Sequence, residues 1–274
     1  IIEQELESQF MIAPSIIAGD MSNLEKEVKR CEIGRADYIH LDVMDGQFVP
    51  NKTFDHVKVR DLRSLTLIPF DTHLMINEPV KHVHEYIDAG SDIVTVHAEV
   101  CDESSFGEIC DILQSNQIGI GLAINPDTEL PQWSYKFVPL LDQVIIMSVV
   151  PGKSGQKFIE STHEKTQLIS RDLKQHNFEG YIEADGGVNL ENVGSCFEDG
   201  ARAFVGGSAI VGQSDVRLII KEFRNNILES RRRSLIKKAH EIGGKELVNS
   251  WIDLHIVGKK KDSLVQIAKE LGFQ

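Results

Sequence analysis

Eight short runs rich in β-branched residues recur along the chain, with amphipathic stretches between them, and few folds accommodate that alternation. The runs are IAPSI (12–16), YIHLDVMD (38–45), FDTHLMI (70–76) and IVTVHAE (93–99), followed by GIGLAI, QVIIMSV, YIEADG and RAFVGG, which ends at Gly207. The intervening segments have helical spacing. Leu24, Val28 and Cys31 mark one face behind a Ser22-x-x-Glu25 capping box, Val80, Val83, His84 and Ile87 another, and Phe106, Ile109, Ile112 and Leu113 a third behind Ser105-x-x-Glu108.

Strands that alternate with helices imply a parallel sheet, and eight of them can close into a barrel. A doubly wound open sheet has the same periodicity, but the polar residues here gather at the carboxyl ends of many different strands, as a barrel's central site requires. The expected fold is therefore an α/β (β/α)8 TIM barrel over residues 12–228. At 274 residues and 41% hydrophobic, the chain has enough apolar material for such a core. Residues 1–11 read as an acidic N-terminal extension. From Glu229 the strand–helix cycle stops, and 229–274 read as a helical, basic C-terminal extension with ten Lys or Arg against six Asp or Glu. That balance of +4 leaves −17 for the remainder, so the extension is expected to pack on the barrel or mediate homo-oligomer formation, with Trp251, Ile252 and Leu254 on buried faces.

A net charge of −13 argues against general affinity for nucleic acid or anionic membranes. With no apolar run long enough to span a bilayer, and an acidic amino terminus, a cytoplasmic location is expected. Cys31, Cys101, Cys110 and Cys196 form no C-x-x-C pair and read as reduced, packed thiols.

Chemistry concentrates in three strands. His40, Asp42 and Met44 lie two residues apart, so the strand period turns all three to one face. His73 and Met75 repeat the spacing in the third strand, and Asp185 stands before Gly186-Gly187 in the seventh. Two imidazoles and two carboxylates suit one divalent metal ion, with zinc, iron(II), manganese and cobalt all compatible. His84 and His97, outside that set, read as satisfied core histidines. Asp45 falls on the opposite strand face and reads as a turn residue beside Gly46. Three glycine-bearing turns follow the last three strands: Gly152-Lys153-Ser154-Gly155, Gly186-Gly187 and Gly206-Gly207-Ser208. Their amides can cradle a phosphate dianion at the usual place in this architecture.

Taken together, APSIIAGD, HLDVMDGQFVPN, DTHLM, the stretch from Met147 through PGKSGQKF, IEADGGV and GGSAI closely resemble ribulose-phosphate 3-epimerases over about residues 12–228. The resemblance implies that His40, Asp42, His73 and Asp185 bind the metal, with Asp42 and Asp185 also the catalytic acid and base. It further implies substrate contacts from Ser15 and His73, and phosphate contacts around Gly152 to Gly155, Gly187, Gly207 and Ser208. One departure stands out: relatives usually carry Glu-Pro-Gly-Phe-Gly-Gly where this chain has Val150-Pro151-Gly152-Lys153-Ser154-Gly155. Lys153 there can add a phosphate contact as a point charge.

The implied reaction inverts C3 of ribulose 5-phosphate to give xylulose 5-phosphate. One carboxylate removes the proton and the other returns one to the opposite face of an enediolate. Met44, Met75 and Met147 are expected to cap the site as an apolar shield. Two alternatives remain at the level of sequence: an allulose-6-phosphate 3-epimerase, and a non-catalytic barrel acting through its C-terminal extension.

Overall fold

The computed structural model describes residues 9–243. The chain runs β1 (Met11–Pro14), α1 (Leu24–Gly34), β2 (Ile39–Met44), α2 (His56–Arg63), β3 (Phe70–Met75), α3 (Val83–Asp88), β4 (Ile93–His97), α4 (Glu103–Ser115) and β5 (Gly119–Ile124). It continues with β6 (Gln143–Met147), α5 (Thr162–Gln175), β7 (Tyr181–Asp185), α6 (Val193–Asp199), β8 (Ala201–Gly206) and α7 (Val216–Gly243). All eight strands are parallel neighbours in the order β1-β8-β7-β6-β5-β4-β3-β2. This is the expected (β/α)8 barrel with a C-terminal helix. One unit departs from the repeat: between β5 and β6 stand only two 3-10 turns, Gln132–Lys136 and Val138–Leu140. Proline opens the second, and Lys165 holds the loop before them by donating to the carbonyls of Asn125, Pro126 and Thr128.

The sheet closes where β1 meets β2, with little strand pairing. A single parallel bridge, Ser15 to His40, joins the residue just past β1 to the start of β2. Below it Asp37 acts as a clasp: its amide donates to Ile12 O (3.1 Å), and its carboxylate accepts from Ile12 N (2.7 Å) and from the Arg224 guanidinium on α7 (2.7 Å). The last helix thus pins the seam between the first two strands.

Two expected helix starts move. Asn23, not Ser22, caps α1 by accepting from Lys26 N, while Ser22 is taken up by the Asp20 carboxylate. In α4, Asp102 is the cap and accepts from Ser105 N (2.8 Å), and the Ser105 hydroxyl accepts in return from Asp102 N (2.9 Å). Ser105 therefore supplies the second half of a capping box, because the helix begins three residues earlier than its apolar spacing indicated.

Both ends of the barrel also shift. Phe10, assigned by sequence to the extension, is 2% exposed and meets Phe197 edge-to-face, since its ring fills space beneath α6 and α7. No break occurs at Glu229. With no helix breaker before Gly243, α7 buries Ile220, Phe223 and Ile227 in the core and continues, and Ser230 donates to Gly194 O (3.1 Å). Expectations for Trp251, Ile252 and Leu254 lie outside the described residues. No helix among the described residues is long and apolar enough to cross a membrane. Cys31, Cys110 and Cys196 are buried free thiols, as expected, and burial pushes each up to about 12.

Replacing Asp37 with alanine leaves the Ile12 amide and the Arg224 guanidinium without their shared acceptor. Urea unfolding should show a loss of about 2 kcal/mol with little change in m, and Asp37→Asn should recover part of it.

Candidate metal centre and phosphate pocket

Strand register brings the candidate residues together. Asp42 pairs with His73 across β2 and β3, His40 with Asp71, and Met44 with Met75, while Met147 on β6 pairs with Asp185 on β7. His40 Nε2 lies 3.3 Å from Asp42 Oδ1 and 3.6 Å from Asp185 Oδ2; His73 Nδ1 lies 3.4 and 3.3 Å from the same two oxygens. Both imidazoles are fully buried, and the carboxylates are 7% and 6% exposed. Despite these distances, His40 Nε2, His73 Nδ1 and Asp185 Oδ2 have no hydrogen-bond partner.

Buried lone pairs that converge without bonding one another are the signature of a cation site. The four residues offer one ligand atom each within 4.8 Å of one another, so nitrogen and oxygen donors fit a divalent ion. Electrostatics agree. Burial opposes ionisation of Asp42, but His40 and His73 outweigh it and hold the carboxyl well below the usual range. Burial and the Asp42 charge oppose Asp185 in turn, yet the two imidazoles close beside it keep it low. For His40, burial disfavours the charged ring, and the Asp42 and Asp71 charges raise it well above the ordinary value regardless. The carboxylates thus exert a strong pull on positive charge at this point.

The sequence reading missed the layer below. His40 Nδ1 lies 2.6 Å from Asp71 Oδ2, and Gln143 Nε2 donates to Asp71, to Thr95 Oγ1 and to Glu183 Oε1 at 3.0, 3.3 and 3.4 Å. Burial and the Asp71 charge push the Glu183 carboxyl well above its ordinary value. Asp71 and Glu183 each stand two residues before a candidate ligand, His73 and Asp185, so strand period alone could have flagged them. His97 is indeed a satisfied core histidine, but its partner is His73, at 2.8 Å between Nε2 atoms. His84, by contrast, is exposed, because α3 turns that position to solvent. Asp45 is the expected turn residue, accepting from the amides of Gln47, Phe48 and Asn77.

Above the cluster opens one pocket. Its lining includes Ser15, Asp42 and Asp185, the three methionines Met44, Met75 and Met147, and every glycine-turn residue except Gly206: Gly152, Lys153, Ser154, Gly155, Gly186, Gly187, Gly207 and Ser208. His40 and His73 lie behind it and do not line it. Ser15, expected at the substrate, donates to Asp42 Oδ2 at 2.5 Å. Met44, Met75 and Met147 are at most 4% exposed and form apolar wall with Val149 and Val205.

Glycine is required in the turns after β6 and β7. Gly152, Gly155, Gly186 and Gly187 all take positive φ, and a Cβ on Gly187 would sit 2.4 Å from Phe158 N. The β8 turn is held from outside the pocket. Buried Glu27 pairs with Arg30 (2.6 Å), and Arg30 donates to the carbonyls of Val211 (3.1 Å) and Gln213.

Known proteins resemble this chain in sequence and in fold. The model of the ribulose-phosphate 3 epimerase family matches residues 11–211. The ribulose-phosphate 3-epimerase of Bacillus subtilis (strain 168) is 40% identical over 216 residues, covering 78% of this chain and 98% of that protein. The chloroplastic ribulose-5-phosphate-3-epimerase of Arabidopsis thaliana is 38% identical over 220 residues, covering 80% of this chain and 78% of that protein. Among solved structures, a 3-hexulose-6-phosphate synthase superposes with a TM-score of 0.59 at 15% identity, over 79% of this chain and 99% of that one, a likeness of fold alone. A match over most of the barrel, with relatives aligned over most of their own length, means that the chain belongs to the ribulose-phosphate 3-epimerase family.

Proposed function

We propose that this protein interconverts D-ribulose 5-phosphate and D-xylulose 5-phosphate. The observation that carries the reading is the pair Asp42 and Asp185, from strands β2 and β7, both lining the pocket and both held against the same two imidazoles. Inversion at a carbon next to a ketone needs a base on one face and an acid on the other, since a lone base returns its proton to the side it came from. Two carboxylates from different strands supply that pair.

His40, Asp42, His73 and Asp185 would hold the divalent ion, whether zinc, iron(II), manganese or cobalt, which when bound would supply Lewis-acid polarisation of the C2 and C3 oxygens. One of Asp42 and Asp185 takes the C3 proton and the other delivers a proton to the opposite face of the planar enediolate. Ser15 fixes Asp42 through its hydroxyl, so that carboxylate keeps its orientation while its other oxygen faces the imidazoles. Met44, Met75 and Met147 keep water from the enediolate without offering a proton of their own. The phosphate takes the far end of the pocket, against the turns at Gly152 to Gly155, Gly186-Gly187 and Gly207-Ser208, with the Lys153 ammonium beside it.

Turnover of ribulose 5-phosphate, read by coupled detection of xylulose 5-phosphate, should vanish on chelation and return with added metal. Undiminished turnover after chelation would sink the metal-assisted scheme, and faster conversion of allulose 6-phosphate would reassign the substrate. Asp185→Asn should lower the rate by about 10²-fold or more with the circular dichroism spectrum unchanged. Metal should also stabilise the fold: at about 100 times its Kd, zinc should add about 2.7 kcal/mol to unfolding of the chelated protein.

A further inference from the structure

We propose that Glu99 and His97 form a positioning relay that fixes the tautomer of His73 and so presents its Nδ1 lone pair to the cation; this rests on the metal reading above. Neither residue touches the pocket, and neither is part of the four-residue cluster. Three contacts in a row define the relay. His73 Nε2 lies 2.8 Å from His97 Nε2, His97 Nδ1 lies 3.0 Å from Glu99 Oε2, and Glu99 Oε1 accepts from Asn125 N at 2.7 Å.

Burial favours the neutral form of His97, and for neutral rings hydrogen-bond bookkeeping leaves one consistent assignment. Two imidazole nitrogens that meet must be one donor and one acceptor. An ionised carboxylate can only accept, so His97 Nδ1 carries the proton that Glu99 receives, and His97 Nε2 is left bare. The bare nitrogen then accepts from His73 Nε2–H. His73 Nδ1, the atom that faces Asp42 and Asp185 without a hydrogen-bond partner, is thereby the atom with a free lone pair. The reverse order would require a protonated Glu99. Burial does favour that form, but bonds from His97, Thr128 and the Asn125 amide prevail and bring Glu99 down to about 2.

Packing holds the relay in place. The two rings are stacked at 20°, with centroids 4.9 Å apart, and Phe48 covers His97 from 4.6 Å. The outer end is tied to the loop after β5, where Lys165 holds Asn125 O at 2.5 Å. His40 is oriented by a shorter route, directly by Asp71. The two imidazoles of the centre therefore owe their orientation to different carboxylates on different strands, Asp71 on β3 and Glu99 just past β4.

Zinc affinity, measured by competition with a chromophoric chelator, tests the relay in Glu99→Gln, His97→Leu and His97→Gln. Glu99→Gln and His97→Leu should weaken zinc binding about 10–100-fold, and His97→Gln, whose amide oxygen can again accept from His73 Nε2–H, should recover part of the loss. Nitrogen-15 spectra of the metal-free imidazoles at alkaline pH should show the proton on His73 Nε2 in the parent protein and a mixture of tautomers in Glu99→Gln. Should His97→Leu fail to fold, the Glu99→Gln protein carries the test alone. Zinc affinity within about twofold of the parent in a folded Glu99→Gln, or an Nδ1–H tautomer in the parent, overturns the relay and leaves the metal centre standing. A parent protein that binds no zinc, iron, manganese or cobalt overturns both.

Discussion

Everything in the upper barrel is arranged around two carboxylates and two imidazoles that approach to 3.3–3.6 Å without completing hydrogen bonds. Each buried polar atom left unpaired costs about 1–3 kcal/mol, a cost that a cation held among these three atoms would offset. A flexible scaffold would relieve that cost by rotating the side chains apart. The barrel prevents it, because Asp42 and His73 are register partners on adjacent strands and Asp185 is tied to β6 through its own carbonyl, which accepts from Ser148 N at 2.6 Å.

The same constraint explains why the barrel interior is not a plain apolar core. Directly beneath the cluster, Asp71, Thr95, Gln143 and Glu183 are all buried and share hydrogen bonds. Gly121 makes room for this layer: a Cβ there would come within 1.9 Å of Thr95 Oγ1. An apolar layer would pack as well, but it could not hold His40 by its Nδ1 and leave Nε2 aimed upward. The upward shift of Glu183 fits the same logic, since burial and the neighbouring Asp71 charge both disfavour a second full charge in this interior.

Sequence pointed to the candidate ligands and not to their supports, for a reason rooted in strand geometry. A period of two places His40, Asp42 and Met44 on one face, and that face can be read without knowing which strand lies beside it. The partners of these side chains depend on register and closure. Asp71 reaches His40 only because β2 and β3 pair in one particular alignment, and the Ser15–His40 bridge exists only once β1 and β2 meet at the seam. His97 looked like an ordinary core histidine because its strand, IVTVHAE, carries no other ligand. Helix starts were misplaced by one and by three residues, since Asn23 and Ser22, or Asp102 and Ser105, are all competent caps and local packing chooses between them.

Charge separation within the pocket links the site to the glycine turns. A phosphate dianion is repelled by the carboxylate end of the pocket, and a chain with a net charge of −13 offers no favourable background potential. In the proposed reading the carboxylates occupy the floor formed by β2, β3 and β7, while the anion takes the rim made by the turns after β6, β7 and β8. Backbone amides supply partial positive charge at that rim, and the clamp of Glu27 and Arg30 keeps the β8 turn in shape from outside, where its own carboxylate does not face the anion. Lys153 is the one cationic side chain among the residues lining the pocket, and its ammonium has no carboxylate partner among the described residues. It stands where relatives usually have phenylalanine, so this chain adds a formal charge to a rim that otherwise relies on dipoles. A point charge on a flexible stem attracts a dianion from a distance but fixes its orientation poorly. Discrimination between sugar phosphates therefore still falls to the rigid turns and the methionine wall, with Lys153 acting on the encounter.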